Sequence, residues 1–228
     1  MKKLGWFNDV YKLLFPKLCS LCHQDLLDSE EQICTTCLLS LPFTNFHKND
    51  DNALSQKLKG RFEFQNANSL LYFNADGQVQ QILHQIKYFK NEYLAEYMGK
   101  LMGERLKESY QNVDVVIPVP LHKRRREERG FNQSERIGSG LVQALQVDLA
   151  PHFAHRIVNT PSQTNKNRSQ RIENVKNAFE WEKLTNSNIL LLDDVITTGA
   201  TLDSLVNAMP TEWNNTIQIL SLATVTDN

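Results

Sequence analysis

The stretch that decides the fold reads Asn188-Ile189-Leu190-Leu191-Leu192-Asp193-Asp194-Val195-Ile196-Thr197-Thr198-Gly199-Ala200-Thr201. Its four consecutive apolar residues suit a central parallel strand that is buried on both faces. Two carboxylates follow, then hydroxyl side chains and one glycine, and then a pattern that predicts a helix over residues 201–209. Because a helix N-terminus attracts phosphate and carboxylates accept hydrogen bonds from sugar hydroxyls, this order predicts a site for a phosphorylated ribose. The alternative is an acidic turn followed by an ordinary helix cap.

Strand and helix patterns alternate on both sides of this stretch. Short apolar runs predict strands at 69–73, 113–117, 189–192 and 216–225. Apolar residues at helical spacing predict helices near 79–89, 94–106 and 137–145. This alternation predicts an α/β fold with a parallel, doubly wound sheet. Ligands of such sheets bind beyond the carboxyl ends of the strands. Residues 118–133 and 193–201 begin at those ends.

All cysteines of the chain lie in two Cys-x-x-Cys pairs near its start, Cys19 with Cys22 and Cys34 with Cys37. Two such knuckles can surround one Zn²⁺ ion tetrahedrally with four thiolates. Disulfides are disfavoured because no secretory signal is recognisable, and a redox motif would not explain two copies. The spacing therefore predicts a structural zinc site in a module too small to fold readily without its metal.

The cysteine cluster divides the chain into three predicted parts. Residues 1–48 form an N-terminal helix and the zinc module, residues 49–64 form a linker, and residues 65–228 form the α/β domain. Residues 4–15 predict a short amphipathic helix, with a targeting or membrane-surface role as the alternative. The zinc module either contacts nucleic acid or docks against the main domain or a partner protein. No apolar run reaches the roughly 18 residues of a membrane span, so we expect a cytoplasmic protein.

The charge of the chain is balanced, with 25 basic and 26 acidic side chains among 228 residues. An anionic partner must therefore be attracted by a local patch. One such patch is the basic run 123–129 with Arg124, Arg125 and Arg126, and Phe131 beside it is a candidate stacking residue; a second patch contains Arg156, Lys166, Arg168 and Arg171. The first patch is either a solvated surface loop or a loop that faces pyrophosphate or a nucleic-acid backbone. The second lies in a long irregular stretch, which is typical of a functional lid or a mobile segment.

The stretch 188–201 resembles the signature of the type I phosphoribosyltransferases. The resemblance implies that Asp193 and Asp194 are catalytic carboxylates that contact the ribose hydroxyls of phosphoribosyl pyrophosphate, with Mg²⁺ bridging ribose and pyrophosphate oxygens. The implied phosphoribose-binding residues are Asp193, Asp194, Val195, Thr197, Thr198, Gly199, Ala200 and Thr201. Val119, Pro120 and Leu121 would form the pyrophosphate loop, and residues 156–179 a hood over the site.

Further motifs resemble a narrower family, the ComF or GntX-like group. They are Ile86-Lys87-Tyr88, Arg129-Gly130-Phe131-Asn132-Gln133, and the spaced residues Thr160, Gln163, Arg171, Asn174, Ala178 and Phe179. The resemblance implies a four-cysteine zinc module, a phosphoribosyltransferase domain and a role in natural transformation. One departure is the segment 209–216, which lacks the glycine expected between the last helix and strand.

Three functions remain open at this point. The first is a competence protein that binds phosphoribosyl pyrophosphate and Mg²⁺ and acts in the processing or uptake of single-stranded transforming DNA. The second is a phosphoribosyltransferase enzyme with an unidentified acceptor. The third is an adaptor whose zinc module recruits a competence helicase.

Overall fold

The computed structural model describes residues 16–158 and 178–225. The helix predicted over residues 4–15 lies outside the described residues. The described residues form seven strands: β1 (Ala67–Tyr72), β2 (Val115–Pro118), β3 (Asp148–Leu149), β4 (Ala154–Arg156), β5 (Phe179–Trp181), β6 (Asn188–Ile196) and β7 (Thr216–Thr224). Five of them form one sheet in the order β1-β7-β6-β2-β3, and every neighbouring pair is parallel. The predicted parallel sheet is confirmed.

Helices cover both faces of this sheet. The described α-helices are α1 (Thr35–Leu39), α2 (Ala53–Leu58), α3 (Gln78–Tyr88), α4 (Glu92–Leu106), α5 (Lys123–Arg129), α6 (Gln133–Leu145) and α7 (Ala200–Asn207). Leu190 and Leu192 of β6 pack in the core beneath α3, α4 and α6, whereas Ile189 and Leu191 pack beneath α2 and α7. Among the helices in the described ranges, none has the length and apolar character needed to cross a membrane.

Two glycines bring the backbones of α4 and α6 into direct contact. A Cβ atom at Gly99 would lie 1.8 Å from the carbonyl oxygen of Ile137, and one at Gly140 would lie 1.9 Å from that of Glu96. No larger residue fits at either position, because the obstacle is backbone that a rotamer change cannot move. This close packing fixes the start of α6, which carries polar side chains, at the carboxyl edge of the sheet.

The segment 49–64, predicted to be a linker, contains a helix that belongs to the core. Asn52 caps α2, since its side-chain oxygen accepts hydrogen bonds from the N–H groups of Leu54 and Ser55, both at 3.0 Å. Leu54 and Leu58 are fully buried against the face of the sheet that α7 covers. The polar run before α2 suggested an exposed connection, but its last residue is the cap of a buried helix. A free linker is therefore the wrong description of this segment.

The N-terminal module is docked against the main domain. The N–H of Thr44 donates to the carbonyl of Leu70 in β1, and the Gln85 side chain in α3 donates to the carbonyl of Ser20. The guanidinium of Arg105 lies 3.7 Å from the centre of the Phe43 ring, a distance at which a cation–π contact forms. The sequence left open whether this module contacts nucleic acid or docks against protein. The contacts above show that it docks against the main domain.

An asparagine stands where glycine was expected between the last helix and the last strand. Asn214 adopts a left-handed backbone conformation, with φ 53° and ψ 43°. Asparagine tolerates this conformation better than most residues, because its short polar side chain can form local hydrogen bonds. Here the Asn214 amide donates to the Asn186 side chain at 3.2 Å, so the turn forms without glycine.

Candidate functional site

Asp193 and Asp194 lie at the carboxyl end of the central strand. β6 is longer than its neighbour β2, whose last residue Pro118 pairs with Leu192. Beyond that point β6 pairs only with β7, and Asp193 lies opposite Ser221. The chain leaves β2 toward the face covered by α6 and leaves β6 toward the face covered by α7. The two carboxylates therefore lie at the crevice where the chain connections diverge, which is the usual ligand position in such sheets.

The two carboxylates have different partners. An oxygen of Asp193 accepts hydrogen bonds from the N–H of Asp194 at 2.8 Å and from the hydroxyl of Ser134 at 3.3 Å. Asp194 forms an ion pair with Lys87, whose Nζ lies 2.9 Å from its carboxylate oxygen. Burial, and next the negative charge of Asp194, raise the pKa of Asp193 to about 7, although Lys87 and the hydrogen bonds act in the opposite direction. Asp194 is thus balanced by the positive charge of Lys87, whereas Asp193 changes its own charge near neutral pH.

The raised pKa of Asp193 predicts a pH-dependent stability. The folded protein holds the proton of the Asp193 carboxyl more tightly than the unfolded chain does. Protonated Asp193 therefore contributes fully to the free energy of unfolding below about pH 4, and this contribution is lost as pH rises to about 7. We expect Asp193→Asn, which cannot ionise, to be more stable than wild type at pH 8 by on the order of 4 kcal/mol, because each unit of pKa difference corresponds to about 1.4 kcal/mol. The difference should shrink toward zero by pH 4. Urea unfolding at a series of pH values measures it, and a difference that does not vary with pH would contradict the assignment.

The loop after β6 exposes hydroxyl groups ahead of α7. Thr197 and Thr198 are exposed, and the Lys57 side chain holds the loop by donating to the Thr197 carbonyl at 3.1 Å. Gly199 has φ 76°, and a Cβ atom there would lie 2.5 Å from a methyl of Leu58. The left-handed backbone and the contact with α2 therefore require glycine at this position without any ligand.

The remaining predicted phosphoribose residues lie on either side of this loop. Ala200 and Thr201 open α7, one residue earlier than the helix was predicted to begin. Val195 is half-buried and packs against the core that faces α3 and α6. The residues predicted for the phosphoribose site are therefore together at one edge, with Val195 contributing packing through its side chain.

The predicted pyrophosphate loop is partly committed to holding the sheet together. The N–H of Val119 donates to the Leu192 carbonyl at 2.8 Å, and the Val119 carbonyl accepts from the Asn132 side chain at 3.1 Å. Pro120 has no N–H, so neither residue offers its amide to an anion. Pro120 and Leu121 do line a cavity of about 440 Å³, whose basic residues are Lys123, Arg126, His152, His155 and Arg156.

The basic run after this loop is a helix and not the loop that we predicted. His122 caps α5 by accepting a hydrogen bond from the Arg124 N–H at 3.2 Å, and Gly130 with φ 86° ends the helix. Arg124 pairs with Glu128 at 3.1 Å and Arg126 with Glu135 at 3.3 Å.

Arg125, the middle arginine of the three, acts electrostatically on Arg156. Burial, and next the charge of Arg125, lower the pKa of Arg156, while Asp193 raises it. Arg156, which lines the cavity, therefore interacts electrostatically with both Arg125 and Asp193. Of the predicted second basic patch, Lys166, Arg168 and Arg171 lie outside the described residues, as do Thr160, Gln163 and Asn174 of the predicted hood.

Three residues of the site were not assigned a role from the sequence. They are Lys87, which pairs with Asp194, Ser134, which donates to Asp193, and Asn132, whose side chain caps α6 and joins it to the loop after β2. Lys87 and Asn132 stand within the quoted family motifs, so the motifs marked their positions. Their partners in space were not visible in the sequence.

The four cysteines form a compact cluster. Their sulfur atoms all lie within 4.8 Å of one another, and those of Cys22 and Cys34 are 3.7 Å apart. A tetrahedron of thiolates around Zn²⁺ has an edge of about 3.8 Å, because each Zn–S bond is about 2.3 Å long. The sulfur of Cys19 also accepts the N–H groups of Leu21 and Cys34, at 3.4 and 3.3 Å.

These hydrogen bonds favour the thiolate form that binds metal. Burial alone would raise the pKa of the Cys19 thiol, but the surrounding N–H donors outweigh it and lower the pKa to about 6. The cluster can therefore hold a metal ion such as Zn²⁺, and its four ligands would leave no coordination position open.

Together these features define a class of protein. A parallel sheet with two acidic residues at the end of its central strand, followed by a hydroxyl-rich loop and a helix, is the arrangement that the resemblance to the type I phosphoribosyltransferases predicts. The predicted fold class, with a small four-cysteine module at the N-terminus, is confirmed.

Comparison with known proteins gives relatives but no family model that matches the chain. The chain is 27% identical over 233 residues to the DNA utilization protein YhgH of Escherichia coli, covering 92% of this chain and 98% of that protein. It is 32% identical over 114 residues to competence protein F of Haemophilus influenzae, covering 48% of this chain and 50% of that protein. A crystal structure of adenine phosphoribosyltransferase matches with a TM-score of 0.38 at 17% identity, covering 60% of this chain and 72% of that one.

The relatives confirm the resemblance to the ComF group that the sequence motifs indicated. The match to YhgH extends over nearly the whole chain, so the resemblance includes both the cysteine module and the α/β domain.

Proposed function

We propose that the protein binds phosphoribosyl pyrophosphate with Mg²⁺ and acts on single-stranded DNA in natural transformation. The observation that carries this proposal is the pair Asp193 and Asp194 at the carboxyl end of β6, beside the exposed hydroxyls of Thr197 and Thr198. Carboxylates that accept ribose hydroxyls and a helix start that faces a phosphate match the two ends of a ribose 5-phosphate.

The cavity lined by Arg156, whose pKa responds to the charge of Asp193, supports a place for the pyrophosphate. Its lining combines Pro120 and Leu121 with the basic side chains of Lys123 and Arg156, which would complement a strongly negative group. Mg²⁺ would bind through the phosphate oxygens and keep several waters, since it is held in proteins by few carboxylates together with substrate phosphates.

The cysteine cluster would serve this function structurally. We propose that it holds Zn²⁺, which would keep the N-terminal module docked against α3 and α4. The names of the relatives, DNA utilization protein and competence protein, support a role in handling DNA. A cytoplasmic location and recruitment of a helicase stay predictions.

Calorimetry with phosphoribosyl pyrophosphate and Mg²⁺ tests the proposal. We expect saturable binding that strengthens between pH 6 and pH 8, because the ligand requires the ionised form of Asp193, whose pKa lies at about 7. Near pH 7 the binding should release protons, which titrations in buffers of different ionisation enthalpy detect. The titration is then repeated with single-stranded DNA present. Absence of phosphoribosyl pyrophosphate binding by folded protein would refute the assignment of the site.

A second candidate function is phosphoribosyl transfer to an acceptor. The observation that favours it is the cavity of about 440 Å³, one of whose lining residues, Arg156, interacts electrostatically with Asp193. Release of pyrophosphate in the presence of candidate bases or nucleotides would distinguish an enzyme from a binding protein.

A further inference from the structure

We propose that the rings of Tyr88 and Phe89, together with His84, form a platform on which unpaired bases of single-stranded DNA stack. This inference rests on the proposed function, because it names the surface by which the protein would hold the strand. The platform is defined as these three residues, at the last turn of α3 and just beyond it.

The first observation is the exposure of the rings. Tyr88 is 64% exposed and Phe89 is 71% exposed, and Tyr93 a few residues further on is 73% exposed. Within the described residues, these three are the exposed members of the aromatic class. The His84 ring joins them, with its centroid 4.7 Å from that of Tyr88 and 5.3 Å from that of Phe89. Stacking of bases on exposed aromatic rings is the common mode of single-strand binding.

The second observation is a cleft that begins at this platform. His84 and Phe89 line a space of about 670 Å³ between α3 and the N-terminal module, which contributes Leu21 and His23. The other polar residues of the lining are Ser20, Asp76, Gln80, Gln81 and Gln85. An apolar and aromatic space that also contains amide groups suits a flat heterocycle with hydrogen-bonding edges.

The third observation is the position of the basic helix. Lys90 follows the platform directly, and its side chain lies against Gly130, where a built Cβ atom would be 3.4 Å from the Lys90 Nζ. Gly130 ends α5, so Lys90, the residue after the platform, lies at the C-terminal end of that basic helix. Phosphates of a strand along α5 would leave its bases within reach of the rings. Positive charge beside exposed rings favours nucleic acid over a protein partner as the occupant.

Phe131 is a poorer candidate for stacking, although it is nearer to the arginines in sequence. It is half-buried and packs against the core. The exposed rings before α4 are therefore the surface to test.

Binding of two labelled oligonucleotides of equal length separates stacking from phosphate contacts. One is oligothymidylate and the other has the same backbone without bases, and fluorescence anisotropy gives both affinities. We expect Phe89→Ala and Tyr88→Ala each to weaken oligothymidylate binding roughly 10-fold and to leave the abasic strand unaffected. Phe89→Trp should retain binding. Replacing Arg124, Arg125 and Arg126 with alanine should instead weaken both strands equally and flatten the salt dependence.

Leu39→Ala is the matched control, because Leu39 is an exposed apolar residue of the N-terminal module away from the platform, and its affinities should equal those of wild type. Wild type that binds oligothymidylate, with Phe89→Ala and Tyr88→Ala binding it equally well, would overturn the platform and leave the proposed function standing. Wild type that binds neither strand would overturn the DNA role itself. The rings are exposed, so circular dichroism should show the same fold in every variant.

Discussion

Serine in place of Cys34 is expected to release the metal from the N-terminal module and to unfold that module locally. The sulfur of Cys34 lies within the four-sulfur cluster, and its N–H bonds to the sulfur of Cys19. Ile33, Cys34 and Cys37 are buried in the core shared with α3 and α4, so loss of the metal disturbs packed residues. Structural Zn²⁺ contributes about 10 kcal/mol or more of folding free energy in small modules.

Elemental analysis and hydrogen exchange measure this result. Wild type should carry about one Zn²⁺ per chain, and the Cys34→Ser protein should carry almost none and lose amide protection around α1. His23→Asn is the control, because His23 adjoins Cys22 and has a left-handed backbone with φ 60° that asparagine tolerates. That variant should keep its metal. Reduced, metal-free wild type with a fully protected N-terminal module would show that the cluster is not a structural metal site.

The cysteine cluster shows which features a sequence predicts well. Both ligand pairs are local, and each Cys-x-x-Cys spacing already limits how its thiolates are arranged. The stretch 188–201 is local in the same way, since strand, carboxylates, loop and helix follow one another directly. For both, the local arrangement of the residues could be predicted before any long-range contact was known.

The parts that the sequence did not reveal depend on contacts between distant segments. Lys87 reaches Asp194 only because α3 and β6 pack together, and α2 enters the core because the sheet has an uncovered face that accepts Leu54 and Leu58. Neither a lone lysine at the end of an apolar helix nor a short leucine pair after a polar run specifies such a partner. The local pattern predicted the order of strand, carboxylates, loop and helix, whereas tertiary packing supplied the partner that pairs with Asp194.

Alanine at both Asp193 and Asp194 is expected to abolish measurable binding of phosphoribosyl pyrophosphate with Mg²⁺. The two carboxylates are proposed to accept the ribose hydroxyls, and a lost hydrogen bond to a charged group costs about 1.5–3 kcal/mol. Loss of two such bonds weakens binding by roughly 100-fold or more. Calorimetry at pH 8, where Asp193 is ionised, gives the wild-type reference. Asp148→Ala removes one exposed carboxylate near the opposite end of β2 and should bind as wild type does.

Stability separates a functional role of these carboxylates from a structural one. Asp193 is half-buried and carries its charge at pH 8 at a cost, so Asp193→Asn should make the protein more stable while it weakens ligand binding. A residue that merely supports the fold would lower stability and binding together. Asp194→Asn should lose the charge that pairs with Lys87, and its effect on stability should be smaller or opposite in sign. Unchanged affinity in the folded double variant would place the phosphoribose pocket elsewhere in the molecule.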